Sequence, residues 1–238
     1  MTVEIYRDEP YREEAAAEVV RVEAGGIVLD RTVFYPRGGG QAGDTGELLL
    51  PEGGSITIAD TVKGPASGGN LHVPAPGQEA AVATLLPGSP VTARIDWARR
   101  HRHMRFHTAT HLLCALIPHQ TNGCSITAEY ARLDFDMVEP LEKEALEREL
   151  ARLVSEAHDV RTRWISDAEL DAQPDLVRTM SVKPPRGVGQ IRLLEIDGVD
   201  LQPCGGTHVA NTREIGVLRV AKIEKKSART RRVVLEFA

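Results

Sequence analysis

The chain has 238 residues, a net charge of −5 and an ordinary soluble composition, 42% hydrophobic and 26% charged, with aromatics at only 4%. It is long enough for one large domain or two smaller ones, with cores resting on Leu, Val, Ile and Ala. Nothing approaches the ~20 consecutive apolar residues of a membrane-spanning helix. The acidic opening MTVEIYRDEPYREE lacks an apolar signal region, and three cysteines are too few for a disulfide framework, so a cytoplasmic protein with no membrane partner is expected.

Residues 1–90 read as β-rich. Val19–Glu23 alternates apolar and polar, Gly25-Gly26 marks a turn, and Ile27–Leu29 resumes. Ser55–Ile58 and Ala80–Ala83 are predicted as further short strands. Gly and Pro are dense at 36–46, 64–69 and 74–77. The Pro87-Gly88-Ser89-Pro90 cluster divides the chain into domains over 1–90 and 91–238. Helical spacing begins after Asp96, where Phe106, Ala109, Leu112, Leu113 and Leu116 form a stripe that Pro118 stops. A second stripe, Leu146, Leu150, Leu153, Val154 and Ala157, predicts a helix over 140–158, and Asp167–Gln173 a short third. Ile126–Asp136, Ile191–Ile196, Gly216–Ile223 and Val233–Phe237 are predicted strands.

The net charge conceals an asymmetry. Residues 1–90 hold 13 acids and 6 bases, whereas residues 91–238 hold 21 acids and 23 bases. Arg94, Arg99, Arg100, Arg102 and Arg105 cluster around a single acid, Asp96. Seven bases lie between Arg219 and Arg232 with one acid, Glu224. Such clusters suit phosphate contacts, although a solvated charged face has the same composition.

His107-Thr-Ala-Thr-His111 sets two imidazoles four residues apart on a helix, where both point to one face and can reach one ion. No glutamate follows the first histidine, which disfavours a metalloprotease of the HExxH kind. Cys204-Gly-Gly-Thr-His208 adds a thiolate and a third imidazole on a short turn, with Gly205-Gly206 permitting backbone angles that a Cβ would forbid. The Cys-His₃ set is the tetrahedral N/S environment that suits zinc. His103 shares the helical face, so His103/His107 is an alternative pair. Cys124 is a weaker substitute ligand, and Cys114 among leucines reads as a small core residue.

These residues resemble the editing domain shared by alanyl-tRNA synthetases and the free-standing AlaX proteins. The resemblance rests on HTATHLL (107–113) and DLQPCGGTHVANTREIG (200–216), with RTVFYPRGGGQAGDTG (31–46), IDWARRHRHMRFH (95–107) and KIEKKSARTRRV (222–233) in the same order. It spans nearly the whole chain, and the CGGTH segment is its most specific part. QTNGCS (120–125) departs from the family pattern.

The resemblance implies an α+β fold of the longer AlaX kind, a β-barrel-like N-terminal domain followed by an α/β editing domain with helices packed on an antiparallel sheet. It implies one Zn²⁺ per chain on His107, His111, Cys204 and His208. It further implies hydrolysis of tRNA(Ala) mischarged with serine, and with glycine. An apolar alanine pocket rejects an added hydroxyl only ~10²-fold, so a second site that demands the hydroxyl improves fidelity. Candidates for that demand are Gln41, Thr110 and Thr127. Gly38, Gly39 and Gly40 would let the backbone approach the terminal adenosine closely. Arg99, Arg100, Lys225, Lys226, Arg231 and Arg232 are candidate phosphate contacts. Zinc either activates water or holds the substrate, and since four protein ligands leave no open tetrahedral position, the metal must expand its coordination, lose a ligand or act by organising the site. No carboxylate marks itself as a general base. Rival readings are an editor of another mischarged tRNA, such as seryl-tRNA(Thr), and a non-catalytic zinc-stabilised RNA-binding module.

Overall fold

The computed structural model describes residues 2–64, 68–178 and 189–238; of the Gly/Pro-dense stretch 64–69, residues 65–67 lie outside that set. The fold is α+β. The chain divides into two compact units, Met1–Gly38 with Ala42–His101, and Gly39–Gln41 with Arg102–Ala238.

The first unit is built on a closed six-stranded antiparallel barrel. After the short β1 (Val3–Glu4), its chain runs β2 (Glu14–Glu23), β3 (Gly26–Leu29), the short β4 (Arg31–Thr32), β5 (Gly46–Leu49), β6 (Ser55–Lys63) and β7 (Asn70–Pro74). A single-turn helix α1 (Glu79–Val82) and β8 (Pro90–Ile95) follow. The barrel order is β2-β3-β7-β6-β5-β8, and β1 pairs in parallel with β4. The pleat explains the closure. Along β2, Ala15, Ala17 and Val19 turn inward while the intervening residues face out, and Ile56 and Ile58 do the same on β6. These meet Ile27, Leu29, Leu48, Val91 and Ala93 in one core.

Two predictions for this unit are corrected. Ala80–Ala83 is helical through Val82, because alanine is the strongest helix former and is depleted in strands, and Glu79 favours the first helical turn. β8 starts on Pro90, the last residue of the breaker cluster, and closes the barrel by pairing with β2 and β5, so this compact unit extends through His101.

Arg100 sits at the centre of the first unit with no exposed surface. Its guanidinium pairs with Asp44 and donates to the carbonyls of Val33 at 2.6 Å and Pro10 at 3.1 Å. Asp44 also accepts from the Tyr35 amide at 2.6 Å. Arg99 is half-buried and donates to the Gly43 carbonyl at 2.7 Å.

α2 (Trp97–Leu116) has its first turn in the first unit and the remainder in the second. From His103 to Cys114 every residue except Arg105 is buried, which explains why the apolar stripe shares the helix with buried histidines and threonines. Phe106 stacks on Phe237 at 3.9 Å between ring centres, docking the helix on a sheet of order β14-β15-β10-β9. That sheet is formed by β9 (Thr121–Ile126), β10 (Ala131–Asp136), β14 (Leu218–Ser227) and β15 (Thr230–Phe237).

The predicted strand Ile126–Asp136 is therefore interrupted. A turn at 127–130 separates β9 from β10, and the Thr127 hydroxyl holds it, accepting from the Glu129 and Tyr130 amides and donating to the Tyr130 carbonyl. α3 (Lys143–Ser155) buries Leu146, Leu150 and Leu153, as its spacing predicts. A second antiparallel sheet, β11 (Val160–Ile165), β12 (Ile191–Ile196) and β13 (Asp200–Pro203), delivers the Cys204 turn. α4 (Asp167–Asp171) lies between β11 and β12 in sequence. No helix among the described residues is long and apolar enough to cross a membrane.

Candidate metal centre

α2 and the turn after β13 bring His107, His111, Cys204 and His208 together. One donor atom from each lies within 4.8 Å of all the others, and the three histidines are buried. His103 is buried but is not part of this group. Cys204 Sγ is 3.5 Å from His107 Nε2 and 3.2 Å from His208 Nε2.

Each imidazole is held from behind through Nδ1. His107 Nδ1 meets Gln41 Oε1 at 2.7 Å, and His111 Nδ1 donates to Asp200 Oδ2 at 2.8 Å. His208 Nδ1 lies 3.3 Å from Thr108 Oγ1, whose own proton goes to the Met104 carbonyl at 2.9 Å, so the threonine oxygen accepts from the ring. Protons on all three Nδ1 atoms leave all three Nε2 lone pairs for the centre. This is how histidine ligands of zinc are oriented.

The electrostatics favour a thiolate. Burial opposes ionisation of Cys204, but the facing His107 and His208 rings outweigh it and hold the thiol well below its ordinary range. Burial would lower His111, yet Asp200 and Cys204 hold it up at about 9, so a metal ion bound at Nε2 would displace a proton there. His208 is pushed well below its ordinary range by burial, with His107 adding to the effect. An N₃S donor set of three buried imidazoles and a half-buried thiol with a favoured thiolate fits Zn²⁺.

The Cys204–His208 turn is packed too tightly for any other second glycine. A Cβ on Gly206 would lie 2.2 Å from His107 Cε1 and 3.0 Å from Gln41 Oε1, whereas one on Gly205 would meet nothing within 4 Å. Neither glycine has a positive φ. Close approach rather than unusual backbone angles is therefore what requires glycine, and only at position 206. Arg192, also buried, clamps the turn by donating to the carbonyls of Cys204 and Gly206, both at 2.9 Å.

The other predicted residues fall in several places. Gln41 is fully buried beside the cluster. Thr110 is buried on α2, and its hydroxyl donates to the His107 carbonyl at 2.7 Å, keeping lone pairs to accept with. Thr127 serves the β9–β10 turn and is not brought to the metal group. Gly38 accepts at its carbonyl from the Tyr35 hydroxyl. Gly39 and Gly40 adopt positive φ of 58° and 87°, and the Gly40 carbonyl accepts from the Ile126 amide. A Cβ on Gly40 would lie 2.6 Å from Cys124 Sγ. Cys124 is outside the metal group, and burial together with the Cys204 charge pushes its thiol up to about 12. Burial likewise pushes Cys114 up to about 12, as suits a core residue.

Two of the six candidate phosphate contacts are corrected. Arg100 is enclosed with Asp44, and Arg231 is buried with its guanidinium spent on the carbonyls of Val138, Glu139, Ser227 and Thr230. Arg232 is paired with Asp134, while Lys225 and Lys226 are exposed. The sequence did not point to Asp200, Gln202, Thr108 or Thr207, because nothing in their spacing marks them. Only the fold shows that Asp200 backs His111 and that Gln202 backs Asp200, donating to it at 2.7 Å.

Comparison with known proteins identifies the family. Residues 191–234 match the family described as the threonyl and alanyl tRNA synthetase second additional domain, and residues 5–99 match the class II (A) tRNA synthetases. An alanyl-tRNA editing protein AlaX-M of Methanosarcina mazei is 34% identical over 98% of this chain and 95% of its own length. A second, of Saccharolobus solfataricus, is 33% identical over 98% of each. An alanine--tRNA ligase of Metallosphaera sedula is 36% identical over 94% of this chain, which covers 25% of that longer protein. The full-length match to two free-standing proteins, together with a partial match inside a ligase, shows that this chain belongs to the AlaX-M family of alanyl-tRNA editing proteins.

Proposed function

We propose that the protein is an aminoacyl-tRNA hydrolase that deacylates tRNA(Ala) mischarged with serine, and with glycine, at a single zinc centre formed by His107, His111, Cys204 and His208. The observation that carries this reading is the N₃S group of three buried imidazoles and a half-buried thiol, with every imidazole turned Nε2-inward, in a chain that matches AlaX-M proteins from end to end. A bound zinc ion would supply Lewis acidity to an ester carbonyl or a water molecule on expanding its coordination or losing a ligand, and with its four ligands alone it would organise the site.

The protein's own residues supply the surroundings. Gln41, Asp200 and Thr108 hold the three rings, and Arg192 holds the turn that carries Cys204. Thr110 is the hydroxyl reader that the geometry leaves open, since its oxygen can still accept a proton from a serine side chain. An alanyl or a glycyl group would leave that buried acceptor without a partner, which costs about 1–3 kcal/mol and makes seryl-tRNA(Ala) the preferred substrate and glycyl-tRNA(Ala) a slower one. The glycine pair at 39 and 40 offers the backbone a close approach to the terminal nucleotide, and Lys225 and Lys226 offer charge to phosphates.

The test is deacylation of seryl-, glycyl-, alanyl- and threonyl-tRNA by the wild-type protein, with Cys204→Ala as control. Seryl-tRNA(Ala) should be hydrolysed fastest, alanyl-tRNA(Ala) should be spared, and the control should be inert. Absence of hydrolysis on every substrate would refute the enzyme, and equal loss of alanyl-tRNA(Ala) would refute editing.

A further inference from the structure

The Gln41 side-chain oxygen has both its acceptor positions taken within the second unit. Its side chain has no exposed surface. Oε1 accepts from the Thr207 amide at 3.2 Å and faces His107 Nδ1 at 2.7 Å, while Nε2 donates to Thr207 Oγ1 at 2.9 Å. These partners lie 66 and 166 residues away in sequence.

The orientation of the amide is fixed by logic rather than by choice. A backbone N–H can only donate, so the group facing Thr207 N is the oxygen. That same oxygen faces His107 Nδ1, so Nδ1 carries the proton and Nε2 presents its lone pair to Cys204 and the other donors. Gly206 lies against both partners, since a Cβ there would meet His107 Cε1 at 2.2 Å and Gln41 Oε1 at 3.0 Å.

We infer that Gln41 is a positioning residue that fixes the tautomer and orientation of His107, and thereby ties the Gly39-Gly40 pair before it to the metal centre. This rests on the zinc reading above. It replaces the expectation that Gln41 reads the serine hydroxyl, because its oxygen already has two partners. Gly39 and Gly40 reach the same centre through this side chain: a shift of their backbone moves Gln41 Oε1 relative to the His107 ring. Partners of this kind around metal-bound histidines typically change metal affinity 10–100-fold when removed.

The experiment is a zinc titration against a chromogenic chelator for the wild type, Gln41→Met, Gln41→Glu and His107→Ala, with the seryl-to-alanyl deacylation ratio measured alongside. Gln41→Met fills the space without an acceptor and should weaken zinc binding about 10–100-fold. Gln41→Glu keeps an acceptor for both the Thr207 amide and His107 Nδ1, and should bind zinc within a few-fold of wild type with the seryl preference intact. Wild-type affinity in Gln41→Met would overturn the inference. So would a collapse of seryl preference in Gln41→Glu at undiminished zinc affinity, which is the signature of an amide that reads the substrate. Should Gln41→Met fail to fold, Gln41→Glu decides alone, because lost zinc affinity there overturns the inference and retained affinity with retained preference supports it. A wild-type protein that binds no zinc refutes the metal reading itself, a different result from wild-type binding that the Gln41 variants leave unchanged.

Discussion

His72 is an imidazole enclosed by the barrel. Its Nε2 lies 2.7 Å from Thr32 Oγ1, its Nδ1 is 2.9 Å from the Ile27 carbonyl, and its ring meets Phe34 edge-on. The carbonyl can only accept, so Nδ1 holds the proton and Thr32 donates to Nε2. A second proton has no place to go, and burial pushes the pKa down to about 4 from an ordinary 6.5. The sign follows directly. Between those two values the unfolded chain takes up a proton that the folded chain refuses, so stability falls as pH drops below 6.5 and the loss levels off below 4. At pH 5 the loss attributable to this residue is about 2 kcal/mol. Urea unfolding at pH 7 and pH 5 should show a pH dependence smaller by that amount in His72→Phe.

Residues also mark the limit of what the sequence reveals. The four donors were legible because a thiol and three imidazoles at spacings of four seldom occur together except around a shared ion, and the group they form is the one the spacing suggested. Their supports were not, since Asp200, Thr108 and Thr207 are common residue types whose roles depend on what faces them. The arginines misled in the opposite way. Charge counting treats Arg100 and Arg231 like any other base, yet carbonyls and Asp44 satisfy both guanidinium groups inside the protein.

Elements were legible where burial has one period. β2, β6 and α3 each expose one face, and alternation or a helical stripe announces them. β11 escaped prediction because four of its six residues are exposed, as befits the edge of a three-stranded sheet. β8 escaped because it starts on the last residue of a proline-rich breaker. Arg100 bears on the first turn of α2, since its pairing with Asp44 fixes that turn against the Tyr35 and Val33 backbone. Removing one member leaves a buried charge uncompensated, so Arg100→Met should cost about 3–5 kcal/mol. The double variant Arg100→Met/Asp44→Leu should recover most of it. Thermal unfolding of the two variants checks this. A double variant no more stable than the single would mean that the carbonyl contacts of Arg100, rather than its charge, hold the helix.

At the scale of the whole molecule, the negative total charge hides a local basic surface on β14 and the turn after it. Lys225 and Lys226 are exposed there, whereas Arg219, Lys222, Arg229 and Arg232 are each paired with an acid. If these lysines meet phosphates, each adds about 0.7–0.9 to the slope of log affinity against log salt. Lys225→Ala/Lys226→Ala should therefore bind tRNA more weakly and reduce that slope by about 1.5. Filter binding between about 50 and 200 mM salt measures it. An unchanged slope would move the phosphate contacts elsewhere on the protein. Fold class and family were legible at this scale, because motifs spread over the whole chain carry them.

The second unit takes Gly39–Gln41 from a segment whose sequence neighbours on both sides belong to the barrel unit. The unit is therefore discontinuous in the chain, and its boundaries cannot be cut from a gene as one stretch. A fragment starting at Arg102 would keep all four metal donors and lose the oxygen that orients the first. During synthesis, residue 41 emerges long before residue 207, so the contact between them must wait for some 166 residues of intervening chain. The geometry of His107 thus depends on a late-closing loop, and assembly of the centre reports that both distant pieces of the chain have found their places.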